Sequence, residues 1–221
     1  MVILQLIHDE PGPLRTTDSA SDVRTYFESV GPDVNHAPVV DEDNNLVGTL
    51  AKRRLPDILD VLPLTTFVDQ EPVRIDPEAH IFEAANVFRA HPQETLAVVE
   101  PDGAYYGVLH RKDVLACLSH MLATHKQGAV LVLEMPTRDY TLGQLVYVIE
   151  QNNAKILSIS TEIEELEGGT TRVTLKMNVS DATRIRHVLG HYGYHVVDYY
   201  DTSTTADLQL RVQALMRYLE V

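Results

Sequence analysis

Ten histidines are the side chains best equipped for chemistry in this 221-residue chain. His187 and His191 stand one helical turn apart on a stretch with helical periodicity, so both could face one metal ion, and His195 follows on the next segment. Local spacing supplies no cysteine or acidic residue to complete a tetrahedral set, and neither HExxH nor a zinc-finger pattern occurs. Exposed or packed histidines are the plainer account, and no metal ligand is assigned. Nucleophilic chemistry fares no better. The one cysteine, Cys117, lies in an apolar helical stretch without an adjacent base, so it reads as a buried structural thiol and excludes an intramolecular disulfide. There is no GxSxG, no Walker loop and no GxGxxG in strand–turn–helix context. Ser and Thr residues occur near His36 and His110, but spacing alone fixes no triad. No catalytic residue is assigned. A His-based metal protein or small enzyme stays as the lesser alternative.

What remains are two basic clusters, Lys52-Arg53-Arg54 and Arg111-Lys112, at the same point of a duplicated unit. His36 to Leu59 aligns without a gap on Thr95 to Leu118, displaced by 59 positions. Val39/Val98, Val40/Val99, Asp43/Asp102, Gly48/Gly107, Leu50/Leu109 and Leu59/Leu118 are identical pairs. Each copy reads strand, tight turn, strand and short basic helix start. Asp102-Gly103 is a strong hairpin signal, because glycine takes positive φ cheaply, and Asn44-Asn45 serves the first copy. A unit that cannot bury its own apolar face must pack against its twin.

Around these copies the chain punctuates itself. Residues 2–7 form a short strand or helix expected to join the first copy. Thr17-Asp18-Ser19 caps a helix with Val23, Tyr26, Phe27 and Val30 on one face. The helix after the first copy is expected to continue to residue 62, with Pro56 tolerated in its first turn. Asp76-Pro77-Glu78 opens the next helix, carrying Ile81, Ala84, Ala85 and Phe88, and the second copy ends in a helix reaching His125. Beyond Gly128 the order is strand (129–133), helix (Leu142, Leu145, Val146, Ile149), strand (156–166), a Gly168-Gly169 turn and strand (172–178). A helix (Ile185, Val188, Leu189) and a strand from Val196 complete it. This is the ferredoxin-like βαββαβ unit. Tyr192, Tyr194, Tyr199 and Tyr200 read as a sheet edge or dimer seam. A last helix carries the stripe Leu208, Val212, Leu215, Met216 and Leu219, read as packing surface with a dimer contact as the alternative.

The net charge of −14 argues against nucleic acid and anionic membrane as partners, since both need a basic field. No run is long enough to span a bilayer, and the opening VILQLI is too short for a secretory core. A soluble, cytoplasmic protein is expected.

Pro38-Val39-Val40-Asp41, followed by Leu46-Val47-Gly48 and a helix start, resembles a CBS motif, and the tandem resembles a CBS pair, or Bateman module. The segment after Gly128 resembles an ACT domain. The whole is similar to bacterial CBS–ACT proteins of the acetoin-utilisation type. The resemblance implies an α+β fold: a CBS pair over 1–125 (motif 1 about 1–62, motif 2 about 66–125), an ACT-like domain over 128–200, and a linker with a C-terminal helix over 201–221. It implies a non-catalytic regulatory or sensor protein, a homodimer with a small-molecule ligand and a regulated partner it does not name. No cofactor is required. AMP, ATP or a related adenosine nucleotide is the candidate ligand. The rival in the same class is a structural dimer whose ligand sites are both degenerate.

CBS nucleotide sites resemble one another in a main-chain segment before the first helix, a segment entering the PVV strand, and a G-h-h-[ST]-x-x-D run. That run's hydroxyl reaches phosphate, and its Asp binds the ribose diol. In the second copy this implies Val73, then Thr95, Leu96 and Ala97, then His110, Arg111, Lys112 and Asp113. His110 replaces the hydroxyl residue, and Asp113 stands at the ribose position. In the first copy it implies a candidate second site of Thr16, His36, Ala37, Pro38, Arg53 and Arg54. There Ala51 replaces the hydroxyl and Arg54 the Asp. A cation cannot accept from a diol, so that site is degenerate or only a phosphate arm. In the ACT resemblance, Tyr140 stands where amino-acid-binding relatives commonly carry glycine, which argues against an amino acid there.

Overall fold

The structure, a computed structural model, describes residues 2–32, 34–59, 61–163 and 169–201. It separates into two units, Met1–Leu118 and Ser119–Val221. The first unit opens with a 3-10 turn at Ile3–Leu6 and strands β1 (Ile7–His8) and β2 (Leu14–Arg15), then helix α1 (Ala20–Ser29). Strands β3 (His36–Val40) and β4 (Leu46–Ala51) follow, with a 3-10 turn at Lys52–Asp57. The second copy supplies β5 (Arg74–Ile75), α2 (Ile81–Ala90), β6 (Thr95–Val99), β7 (Tyr105–His110) and α3 (Arg111–Met121).

The duplication is kept in register. β3 pairs antiparallel with β4 and β6 with β7, each with an irregularity at the same point, Val39/Val40 and Val98/Val99. The turns use positive φ at equivalent residues, Asn44 at 66° and Gly103 at 101°. β2 and β5 lie parallel to β3 and β6. Each copy buries one face under its own helices. Val23, Phe27, Val39 and Leu50 centre the first core, and Ile81, Phe88, Val98 and Leu109 the second. The other faces meet through Val40, Ala97, Val99, Tyr105 and Val108. The turns also pair with each other: Leu46 N donates to Gly103 O and Tyr105 N to Asn44 O. Each copy thus closes against its twin.

Three local expectations need correction. Residues 2–8 join the second copy, not the first: β1 pairs antiparallel with β7 (Ile7↔Leu109, His8↔Val108), and Ile3 is fully buried in the second core. The segment between the two copies makes the reciprocal crossing, where Asp69 and Thr49 exchange main-chain hydrogen bonds of 2.9 and 3.1 Å. Next, the first copy ends in a 3-10 turn rather than a helix to residue 62. Pro56 has no N–H to donate and its ring opposes the carbonyl four residues back, whereas the aligned Leu115 sits inside α3. Third, α2 starts at Ile81 with His80 as N-cap; Asp76 forms a turn instead, accepting from Glu78 N. The α1 start follows the sequence, with a capping box between Ser19 and Asp22.

The second unit comprises β8 (Val130–Pro136), a 3-10 turn (Thr137–Asp139), α4 (Leu142–Gln151), β9 (Ile156–Ile163), β10 (Thr170–Met177), α5 (Thr183–His191) and β11 (His195–Tyr200). Its sheet runs β11-β8-β10-β9, all antiparallel, the order of a ferredoxin-like βαββαβ unit. The core gathers Leu131, Leu133, Leu145, Ile149, Val173, Leu175, Ile185 and Leu189. On α4 the buried face includes Val148, while Leu142 is exposed. The expected end of the strand beyond Ile163, and the C-terminal helix, lie outside the described residues.

Candidate functional site

Asp113 stands in the first turn of α3, directly after β7 ends at His110. His110, Lys112 and Glu94 line one side of a cleft of about 630 Å³. Val30, Val34 and Asn35 of the first copy, with His8, Glu10 and Pro11, line the rest. His8 reaches this place only because β1 crosses to the second copy. Its Nε2 lies 2.8 Å from Asp113 Oδ2, and its ring meets His110 edge-on at 5.1 Å. The cleft wall therefore carries two imidazoles and an ammonium, with the Asp113 carboxylate reached through His8, groups able to hold phosphate and hydroxyls.

Burial is the main cause that holds the His110 imidazole below its ordinary pKa, with His8 and Lys112 acting the same way and Asp113 opposing them. His110 is thereby kept neutral more readily, and an incoming anion would reverse that bias.

The remaining second-copy residues divide. Lys112 is exposed on the cleft wall. Arg111 is not available to a ligand as its charge suggested. It donates to the carbonyls of Phe88 (2.8 Å), His91 (2.7 Å) and Gln93, pairs with Glu94 at 3.4 Å and lies 4.9 Å over the Phe88 ring. This clamp fixes the loop between α2 and β6. The Thr95 hydroxyl donates to His36 O at 3.3 Å, linking the two copies. Leu96 is fully buried in the second core and Ala97 lies between the copies, so these offer main chain rather than side chain. Val73 packs on the second core and is not on the cleft wall, which restricts it likewise.

The first copy differs in charge and shape. Arg54 is drawn toward Asp57 (3.7 Å) on the exposed 3-10 turn, and Arg53 is exposed. His36 keeps a buried Nδ1 with no hydrogen-bond partner among the described residues. Its pKa is lowered by burial first and by Arg53 second, against Asp69. Ala37 and Pro38 are buried in β3. Thr16 lies apart, in a hollow of about 360 Å³ with Ser19, Leu59 and Leu62. These residues do not line the cleft that holds His110 and Lys112.

His8 is the member that sequence reasoning missed. The repeat spacing gives no sign of it, because its place depends on pairing with a strand 100 residues away. Elsewhere, His187, His191 and His195 are all exposed, and no three His, Cys, Asp or Glu residues converge on a metal-sized site among the described residues.

The family model for the CBS domain matches residues 5–59 and 64–120. A CBS domain pair/ACT domain protein from Thermotoga maritima has a similar fold, at 18% identity and a TM-score of 0.50, covering 55% of this chain and 99% of that one. The CBS domains of a transcriptional regulator from Streptococcus pneumoniae are 21% identical with a TM-score of 0.45, covering 52% of this chain and 98% of that one. The A-adding tRNA nucleotidyltransferase of Aquifex aeolicus is 27% identical over 123 residues, 54% of this chain. The match spans 15% of that protein's length.

Proposed function

The chain belongs to the CBS-domain family, and on that premise we propose that it is a regulatory nucleotide sensor whose second copy takes an adenosine nucleotide. CBS pairs commonly bind such ligands. The observation that carries the reading is His110 and Lys112 on one cleft wall, with the Asp113 carboxylate bound to His8, which lines the same cleft. A carboxylate accepts two O–H bonds from a ribose diol, while Lys112 and His110 face phosphate. The main chain of Thr95–Ala97 would hold the base. The first copy carries Arg54 at the diol position, so its contribution is at most a phosphate contact.

The second unit would act as the ACT-like dimerisation or effector module. Tyr140 packs against that unit's core at the end of the 3-10 turn, filling the place where an amino acid would approach backbone. Ligand in the cleft favours one arrangement of a homodimer, and the second unit passes that preference to a partner. Calorimetric titration with AMP, ATP, cyclic dinucleotides, S-adenosylmethionine and free amino acids tests this. Binding of at least one adenosine nucleotide and of no amino acid is expected. Silence toward every adenosine compound at millimolar concentration would overturn it.

A further inference from the structure

Asp113 already has a partner. A diol gripped by both carboxylate oxygens meets the donor that His8 Nε2 places on Oδ2 at 2.8 Å and competes with it for that oxygen. His8 belongs to the crossing strand, where its main chain is paired with Val108, so the imidazole can leave Asp113 without unzipping β1. Its side chain is 47% exposed, which leaves room for a change of rotamer. The first copy has no such device: Asp69 is the crossing residue, Arg54 stands at the Asp113 position, and Arg54 pairs with Asp57.

We propose that His8 is a specificity-determining residue of the second-copy cleft, a gate on Asp113 that a ligand displaces only by offering a vicinal diol. The proposal rests on the nucleotide reading of that cleft. It separates two ligand classes. A ribonucleotide that seats its diol on both oxygens competes with His8 for Oδ2, and is weakened by whatever that contact contributes. A nucleotide without the diol makes no demand on Asp113 and leaves the contact in place.

The test is a titration of AMP and of 2′,3′-dideoxy-AMP into the full chain and its His8→Ala and His8→Gln variants. Exposed charge-assisted pairs are weak, so His8→Ala should tighten AMP by about two- to fivefold. The gain for dideoxy-AMP should be smaller. His8→Gln keeps a donor and should fall between wild type and His8→Ala. In an Asp113→Asn background the His8→Ala gain should vanish. Weaker AMP binding by His8→Ala would mean that His8 holds the ligand itself, and equal gains for both ligands would mean that it acts without the diol; either result overturns the gate alone. If ATP binds and AMP does not, ATP and its 2′,3′-dideoxy analogue take the place of the AMP pair; silence of wild type and His8→Ala toward every adenosine compound at millimolar concentration overturns the nucleotide reading, and the gate with it. A His8→Ala chain with altered amide exchange at Ile7 is replaced by His8→Gln as the deciding variant.

Discussion

Arg111 and Lys112 are neighbours in sequence, yet only Lys112 faces the cleft. A basic pair at a helix start is legible in the sequence; which member is already committed to carbonyls is not, because that depends on the path of the loop at His91–Glu94. Arg111→Ala should cost on the order of 3 kcal/mol of stability, since charge-assisted bonds contribute about 1.5–3 kcal/mol each and the carbonyls left behind regain water only in part. Urea denaturation checks this, and a loss below about 1 kcal/mol would contradict the clamp. Arg111→Lys should recover little, because an ammonium cannot reach three carbonyls as the guanidinium does. Two half-buried histidines set a pH dependence. The pKa values of His36 and His110 lie below the ordinary imidazole value, chiefly through burial. The folded state then binds fewer protons than the unfolded chain, so their contribution is present above about pH 6.5 and is lost as pH falls through that value toward the folded pKa. The urea midpoint should drop between pH 7.5 and 5.5, and His110→Gln should make the drop shallower. A midpoint that rises with acid would contradict it.

At the scale of elements, the hairpins were readable because their signals are local: alternation, a turn residue able to take positive φ, and a second copy to confirm both. The crossing of β1 and of Asp69 was not, since a short strand's partner is set by non-local packing. The sequence nonetheless carries its mark in the identical pair Gly48 and Gly107. A Cβ at Gly107 would lie 2.6 Å from Ile7 Cγ2 and 2.8 Å from His8 O, and one at Gly48 would run into Val68 and the Asp69 carbonyl. Both glycines let the other copy's crossing segment approach. Gly107→Ala should therefore destabilise by about 1–3 kcal/mol and loosen β1. Faster amide exchange at Ile7 and a stronger preference for AMP over its dideoxy analogue would follow. Gly143 in α4 is the control, with nothing within 4 Å of its Cβ position. Alanine there should be neutral or stabilising by up to about 1 kcal/mol. Equal effects at Gly107 and Gly143 would remove the packing argument. Pro56 shows the converse: it is visible in the sequence, and it outweighs the helical pattern of the aligned copy, where Leu115 permits an α-helix.

For the whole molecule, a homodimer with closed two-fold symmetry is the expected assembly, because modules of both resembled kinds associate in pairs and two-fold dimers are the commonest closed solution. Light scattering over a hundredfold concentration range should give twice the chain mass of 24.8 kDa. A concentration-independent monomer would rule it out. The proposed function turns on how the two copies of the repeat have diverged. One carries Asp113 held by His8, the other Arg54 held by Asp57, on hairpins of the same register. The duplication is thus its own control. The most direct measurement is calorimetric titration of AMP into wild type, Asp113→Ala and Arg54→Ala. The account predicts a stoichiometry near one per chain, at least about tenfold weaker binding for Asp113→Ala, and for Arg54→Ala a small loss that shrinks further with added salt. Two ligands per chain, or equal losses from the two substitutions, would contradict it.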